Sequence, residues 1–73
     1  MSRYLVIYEN AGSNWSAYVP DLPGCVTTGA NQQECKESIQ DAIALYIEAA
    51  SEVGKPIPEP STRADYVNVA RSA

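Results

Sequence analysis

Residues 18 to 25, YVPDLPGC, restrict the backbone more than any other stretch of the chain, because they combine two prolines with a glycine. Each proline pushes the residue before it into extended geometry and has no N–H to donate to a sheet ladder. The last four residues, Leu22 to Cys25, fit a type II turn, in which proline sets the first central position and glycine takes a positive φ at the second. The stretch is therefore predicted to be a rigid corner between two strands.

Asp21 lies in the middle of this corner and is a candidate either for chemistry or for turn formation. A short carboxylate in a turn commonly accepts hydrogen bonds from nearby backbone N–H groups. A catalytic acid would need partner groups of matching chemistry, and the chain contains no histidine to act as a base. We therefore predict that Asp21 is a local structural acceptor rather than a catalytic acid.

Three short segments have the composition of β-strands. Residues 3–9, RYLVIYE, alternate in pattern and are rich in aromatic and β-branched side chains. The turn-forming residues 10–14, NAGSN, separate them from WSAYV at residues 15–19, so the first two strands are predicted to form a hairpin. The third strand is expected over residues 25–28, directly after the corner.

One long helix is predicted between Gly29 and Gly54. Asn31 followed by Glu34 has the spacing of a capping box, and Gly54 suits a C-terminal cap. The apolar positions between these ends form one stripe, which is expected to face the sheet. The stripe consists of Cys35, Ile39, Ala42, Ile43, Tyr46, Ala50 and Val53. The opposite face consists of Glu37, Gln40, Asp41, Glu48, Ser51 and Glu52.

The chain after the helix is predicted to be a linker followed by a fourth strand. Residues 54–62, GKPIPEPST, have prolines at alternate positions and are expected to run extended. Residues 65–70, DYVNVA, regain the strand pattern. The predicted fold is α+β with the order β-β-β-α-β, a single domain over residues 1–73 in which the helix packs on one face of a small, mostly antiparallel sheet.

The second face of that sheet has no helix to cover it. A domain of this length buries only about 60% of the surface that its unfolded chain exposes, so association with another chain would add stability. We predict a homodimer or a higher homo-oligomer, formed through a surface that includes Trp15, Tyr18 and Tyr66.

The composition argues against several classes of function. Nine acidic and five scattered basic side chains give a net charge of −4, so direct DNA binding by this chain alone is not expected. The chain has no phosphate-binding loop and no dinucleotide fingerprint, and we expect neither an enzyme nor a metal or cofactor site. No stretch is long and apolar enough for a membrane span, and a cytoplasmic location is predicted. Cys25 and Cys35 would be reduced thiols there, with a disulfide as the minor alternative.

The corner and the segment after the helix together resemble a known family. The YVPDLPGC corner, Gly29, a helix with Glu34 in its first turn, Gly54 and the IPEP of residues 57–60 are similar to the N-terminal domain of HicB-type antitoxins. The resemblance covers residues 3 to 69, and its motif carries no catalytic role. The matching positions form a structural signature of Pro20, Asp21, Leu22, Pro23, Gly24, Cys25, Gly29, Gly54 and Pro58.

This resemblance implies a partial ribonuclease H-like fold and a non-enzymatic role. Family members bind and silence HicA, a small basic toxin that cleaves messenger RNA, so a HicA-like toxin is the implied partner, and the acidic charge of the chain suits it. Many members also carry a C-terminal DNA-binding domain, and this chain is expected to be a stand-alone domain without one. Two alternatives are an orphan oligomerising domain and a ribonuclease H-like RNA-binding or nuclease domain.

Overall fold

The computed structural model describes residues 2–72 and consists of three strands followed by one helix. The elements are β1 (Ile7–Asn10), β2 (Trp15–Tyr18), β3 (Val26–Gly29) and α1 (Gln32–Glu52). The strands form one sheet in the order β1-β2-β3, and both neighbouring pairs are antiparallel. The α+β fold class predicted from the sequence is confirmed, with the helix lying on the sheet.

β1 begins at Ile7 rather than at the start of the predicted segment. Ile7 lies opposite Tyr18 in the ladder. If the same register continued, Leu5 would lie opposite Pro20, which has no N–H to donate. Residues 3–6 therefore precede the ladder, although the side chains of Tyr4 and Val6 still pack against the core.

The start of α1 confirms the predicted cap. Asn31 is extended, with φ −151° and ψ 175°, and its Oδ1 accepts a hydrogen bond of 2.8 Å from the N–H of Glu34. Oε1 of Glu34 in turn accepts from the N–H of Ala30 at 3.0 Å. Two N–H groups at the helix entrance are thus satisfied by side chains, in a variant of the capping box.

The end of α1 has the bonding pattern of a Schellman motif. Gly54 has a positive φ of 71° and donates its N–H to the carbonyl of Ser51 at 3.2 Å. The N–H of Lys55 reaches back to the carbonyl of Ala50 at 2.9 Å. Glycine adopts this φ without steric cost, so the predicted helix end is confirmed.

The core lies between the N-terminal half of α1 and the sheet. Helix α1 contacts β3 and β2, and two of its side chains, Cys35 and Ile39, are fully buried. The strands have four residues each, whereas a helix of 21 residues is about 31 Å long, so its far end extends past the sheet. Val53, predicted to be part of the apolar stripe, is consequently 70% exposed. The buried core residues are Ala17, Val19, Leu22, Cys25, Cys35 and Ile39.

The polar face of α1 points to solvent as predicted. The residues of the predicted polar face are all exposed, namely Glu37, Gln40, Asp41, Glu48, Ser51 and Glu52.

Within residues 2–72, no helix combines the length and the apolar character needed to cross a membrane.

The predicted fourth strand does not form in the part of the chain that the structure describes. Residues 65–70 have no strand assignment, and Tyr66, Val67 and Val69 are 101%, 79% and 75% exposed. A strand exists only when its N–H and C=O groups pair with a neighbour, and no sheet edge of the same chain meets this segment. The radius of gyration is 15.0 Å, against about 11 Å for a compact domain of this length. The prediction of a fourth strand within the chain's own sheet is therefore wrong.

Candidate functional site

The corner after β2 is built from three consecutive backbone hydrogen bonds. The N–H of Cys25 donates to the carbonyl of Leu22 at 3.0 Å, and Gly24 between them has a φ of 84°, as expected for a type II turn. The N–H of Leu22 donates to the carbonyl of Val19, and the N–H of Val19 to the carbonyl of Cys25, both at 3.1 Å. The predicted turn is confirmed and forms part of a closed loop.

The corner also contributes to the core. Leu22 is fully buried, and Cys25 is 6% exposed. The two thiols, Cys25 and Cys35, are both free and buried, so they pack as small apolar groups as predicted. Burial raises the pKa of the Cys25 thiol, which disfavours the nucleophilic thiolate.

Asp21 binds a distant segment rather than its own turn. Its carboxylate accepts hydrogen bonds from the backbone N–H groups of Ser61 and Thr62, each at 3.0 Å from Oδ2. The two hydroxyl groups donate to Oδ1, at 3.1 Å from Ser61 and 2.6 Å from Thr62. The prediction that Asp21 is a structural acceptor is right, whereas the prediction that its donors are local is wrong. Asp21, Ser61 and Thr62 together are named the latch.

The latch changes the acidity of the carboxyl group. The hydroxyl and the backbone N–H of Thr62, followed by the donors of Ser61, lower the pKa of Asp21 from its usual 3.8 to about 2. All these donors favour the charged form, and they outweigh the opposing effect of desolvation. Asp21 is therefore an anion at neutral pH and an anchor for the chain, and it has no proton to give as an acid.

A second contact holds the proline-rich segment beside the residues that precede β1. The Tyr4 hydroxyl donates to the carbonyl of Pro58 at 2.7 Å. Ile57 and Pro58 are half-buried, while the neighbouring residues are exposed. The segment from 55 to 62, which forms neither helix nor strand, is thus attached at two points and is named the strap. That it runs extended stays a prediction. Residues 63–72 follow the latch and are named the arm.

The exposed face of α1 has a regular pattern of charge. Four acidic residues, Glu37, Asp41, Glu48 and Glu52, recur at intervals of four, seven and four positions. At 100° per residue these intervals place them within about 60° of the helix circumference and over about 22 Å of its length. Leu45, which is 65% exposed, lies beside their midpoint. This acidic stripe consists of Glu37, Asp41, Glu48 and Glu52.

The residues predicted for self-association lie in three different places. Trp15 packs against the core on the helix side of the sheet. Tyr18 alternates with buried Ala17 and is exposed, with Val26 of β3 as its exposed cross-strand neighbour. Tyr66 lies on the arm. The structure does not bring these three residues together, and their part in an interface remains a prediction.

Sequence reasoning missed the two hydroxyl residues of the latch. Ser61 and Thr62 follow the last proline and read as ordinary linker residues. The sequence offered one sign of this contact. Two consecutive hydroxyl side chains follow the proline-rich segment, and a single acid lies in the rigid corner. The signature position Pro58 also gains a role, because its carbonyl accepts from Tyr4.

Comparisons with known proteins agree on one family. Residues 4–71 match the model of the HicB-like antitoxin of bacterial toxin-antitoxin systems. A solved structure described as a HicA3 and HicB3 toxin-antitoxin complex contains a chain that superposes with a TM-score of 0.69 at 27% identity. This match covers 82% of the present chain and 70% of that chain.

Three relatives are similar in sequence. A UPF0150 protein of Thermoplasma acidophilum is 33% identical over 58 residues, which cover 80% of this chain and 84% of the relative. A UPF0150 protein of Archaeoglobus fulgidus is 34% identical over 53 residues, covering 73% and 77%. A 14.9 kDa protein from the rep-hol intergenic region of Haemophilus phage HP1 is 28% identical over 65 residues, covering 89% of this chain and 49% of the relative. The chain thus spans about half the length of the phage protein.

Proposed function

Because the chain belongs to the HicB-like antitoxin family, we propose that it neutralises a small basic HicA-type toxin that cleaves messenger RNA. Neutralisation occurs by protein–protein contact in the cytoplasm, and the chain itself does not catalyse a reaction. The observation that carries this proposal is the structural match to a toxin-antitoxin complex, combined with a family match over nearly the whole chain.

The acidic stripe on α1 is the surface that best suits a basic partner. Its four carboxylates are exposed and lie on one side of the helix. A toxin that binds RNA needs basic side chains for the phosphates, and an acidic protein surface is attracted to the same side chains. Leu45 beside the stripe supplies an apolar contact that can be buried at the centre of the interface. A toxin covered in this way is blocked from its RNA.

The same charge pattern opposes DNA binding by this chain alone. The stripe repels phosphates, and Lys36 is the only base in the sequence of α1. We propose a single domain that acts as a homodimer or higher homo-oligomer and binds its toxin without contacting duplex DNA or a membrane.

The experiment compares two charge-reversal variants in an RNA-cleavage assay with a small basic HicA-type toxin. Asp41→Lys/Glu48→Lys reverses the centre of the stripe, and Glu9→Lys/Glu59→Lys makes the same change in charge at exposed positions away from it. We expect the first variant to weaken inhibition at least about tenfold and the second to change it much less, since charge pairs in an interface are strong only at close range.

Circular dichroism verifies that both variants keep the fold. Equal inhibition by the two variants would contradict the assignment of the stripe. Cleavage that continues at full rate with the unmodified chain in excess would contradict toxin neutralisation itself.

A further inference from the structure

The arm has the features of a strand without a partner. Residues 63–72 form neither helix nor strand and are all exposed. Val67 and Val69 are two positions apart, so a paired strand would place both valines on the same side. Both are largely exposed, together with Tyr66. An extended segment with one apolar side is normally stable only when a sheet edge and an apolar surface receive it.

The free edge of β1 offers such a place. β1 pairs with β2 on one side only, and among residues 2–72 no strand lies on its other side. Because α1 packs over β3 and β2, the flank of β1 beside the helix is open, and a groove of about 660 Å³ lies there. The apolar part of the groove is formed by Leu5, Val6, Tyr8, Ile39 and Ile43.

The dimensions of the arm and the edge agree. β1 has four residues and spans about 13 Å at 3.3 Å per residue, and residues 66–69 of the arm would span the same length as a paired strand. The groove offers branched apolar side chains to receive the two valines of the arm. At the opposite edge of the sheet, β3 lies directly beneath α1, where Gly29 closely approaches the helix. The β1 edge is thus the better acceptor.

We propose that the arm of one copy pairs with the β1 edge of a second copy, and that two such exchanges form a dimer. Among residues 2–72 the arm meets no sheet edge of its own chain, so a second copy is the acceptor. Asp21 fixes the backbone N–H groups of Ser61 and Thr62 at the corner, and every arm residue beyond them is exposed, so the arm adds nothing to the core of its own chain. Pairing would bury the exposed valines and complete the strand that the sequence pattern predicts.

The exchange of arms rests on the homodimer proposed above and does not depend on toxin binding. Sedimentation of the unmodified protein at micromolar concentration is expected to give the mass of a dimer. Val67→Asp/Val69→Asp removes the apolar side of the arm and is expected to raise the dimer dissociation constant at least about 100-fold, because four apolar side chains per dimer lose their burial.

The matched control is Leu45→Asp, which places the same charged side chain at an exposed apolar position on the helix. It should leave the dimer intact and weaken only toxin inhibition, so failure of the dimer and failure of the proposed function give different results. An unmodified chain that is monomeric at all concentrations, or an arm variant that dimerises as well as the control, would overturn the proposal.

Isotope-filtered NMR on a mixture of labelled and unlabelled chains locates the arm directly. Contacts between chains are expected from the methyl groups of Val67 and Val69 to Val6, Ile39 and Ile43. If the arm contacts only its own chain, or pairs only with the arm of the other copy, exchange onto the β1 edge is wrong.

Discussion

Replacement of Gly24 by alanine tests how much the positive φ of the corner contributes to stability, separately from side-chain packing. Gly24 has a φ of 84°, and a Cβ built on it meets no atom within 4 Å. The cost of alanine is therefore backbone strain without a clash. A residue with a Cβ in the left-handed region loses about 1–2 kcal/mol, and alanine regains roughly 0.4–1 kcal/mol by restricting the unfolded chain.

The net expected loss in the free energy of unfolding is about 1 kcal/mol. For a domain of this size that corresponds to a fall in Tm of about 4–8 °C, which thermal unfolding followed by circular dichroism resolves. Gly24→Val should cost more, because a β-branched side chain tolerates positive φ least.

Gly24→Asn is the matched control. It adds a larger side chain to the same open space, but asparagine tolerates the left-handed region and suits this position of a type II turn. The expected order of stability is glycine, then asparagine, then alanine. If asparagine proves as destabilising as alanine or more so, the strain at positive φ does not explain the glycine, and the reasoning is refuted.

We make two further predictions, one for Gly29 at the end of β3 and one for the latch. Gly29→Ala is expected to destabilise the fold by roughly 1–3 kcal/mol through crowding. The new Cβ would lie 3.0 Å from Cβ of Glu34 and 3.1 Å from the backbone nitrogen of Cys35. A melting temperature equal to that of the unmodified chain would contradict this packing. The latch should depend on pH: since the pKa of Asp21 is lowered from 3.8 to about 2, its stabilisation is complete above pH 4 and is lost as the pH falls towards 2. Amide exchange at Thr62 measures this opening, and Asp21→Asn, as the control, should lack the transition; equal pH profiles for both proteins would argue against the latch.

The sequence predicted best those features whose hydrogen bonds close within a few residues. The cap of α1 joins Asn31 to Glu34, and the turn of the corner joins Leu22 to Cys25. In each case the bonded groups are neighbours along the chain, so side-chain chemistry and φ preferences are sufficient to specify the geometry. The sheet-facing stripe of α1 followed from periodicity, although its last member, Val53, is exposed.

Contacts between distant segments were decided only by the tertiary structure. Asp21 could have bonded to its own turn, but folding brings Ser61 and Thr62 to it from forty positions away. The alternating pattern of residues 65–70 predicted a strand, but the pairing that a strand requires is absent among residues 2–72. A strand needs a neighbour, and local sequence specifies the readiness to pair without specifying which edge lies within reach. That choice depends on where α1 and the latch direct the chain.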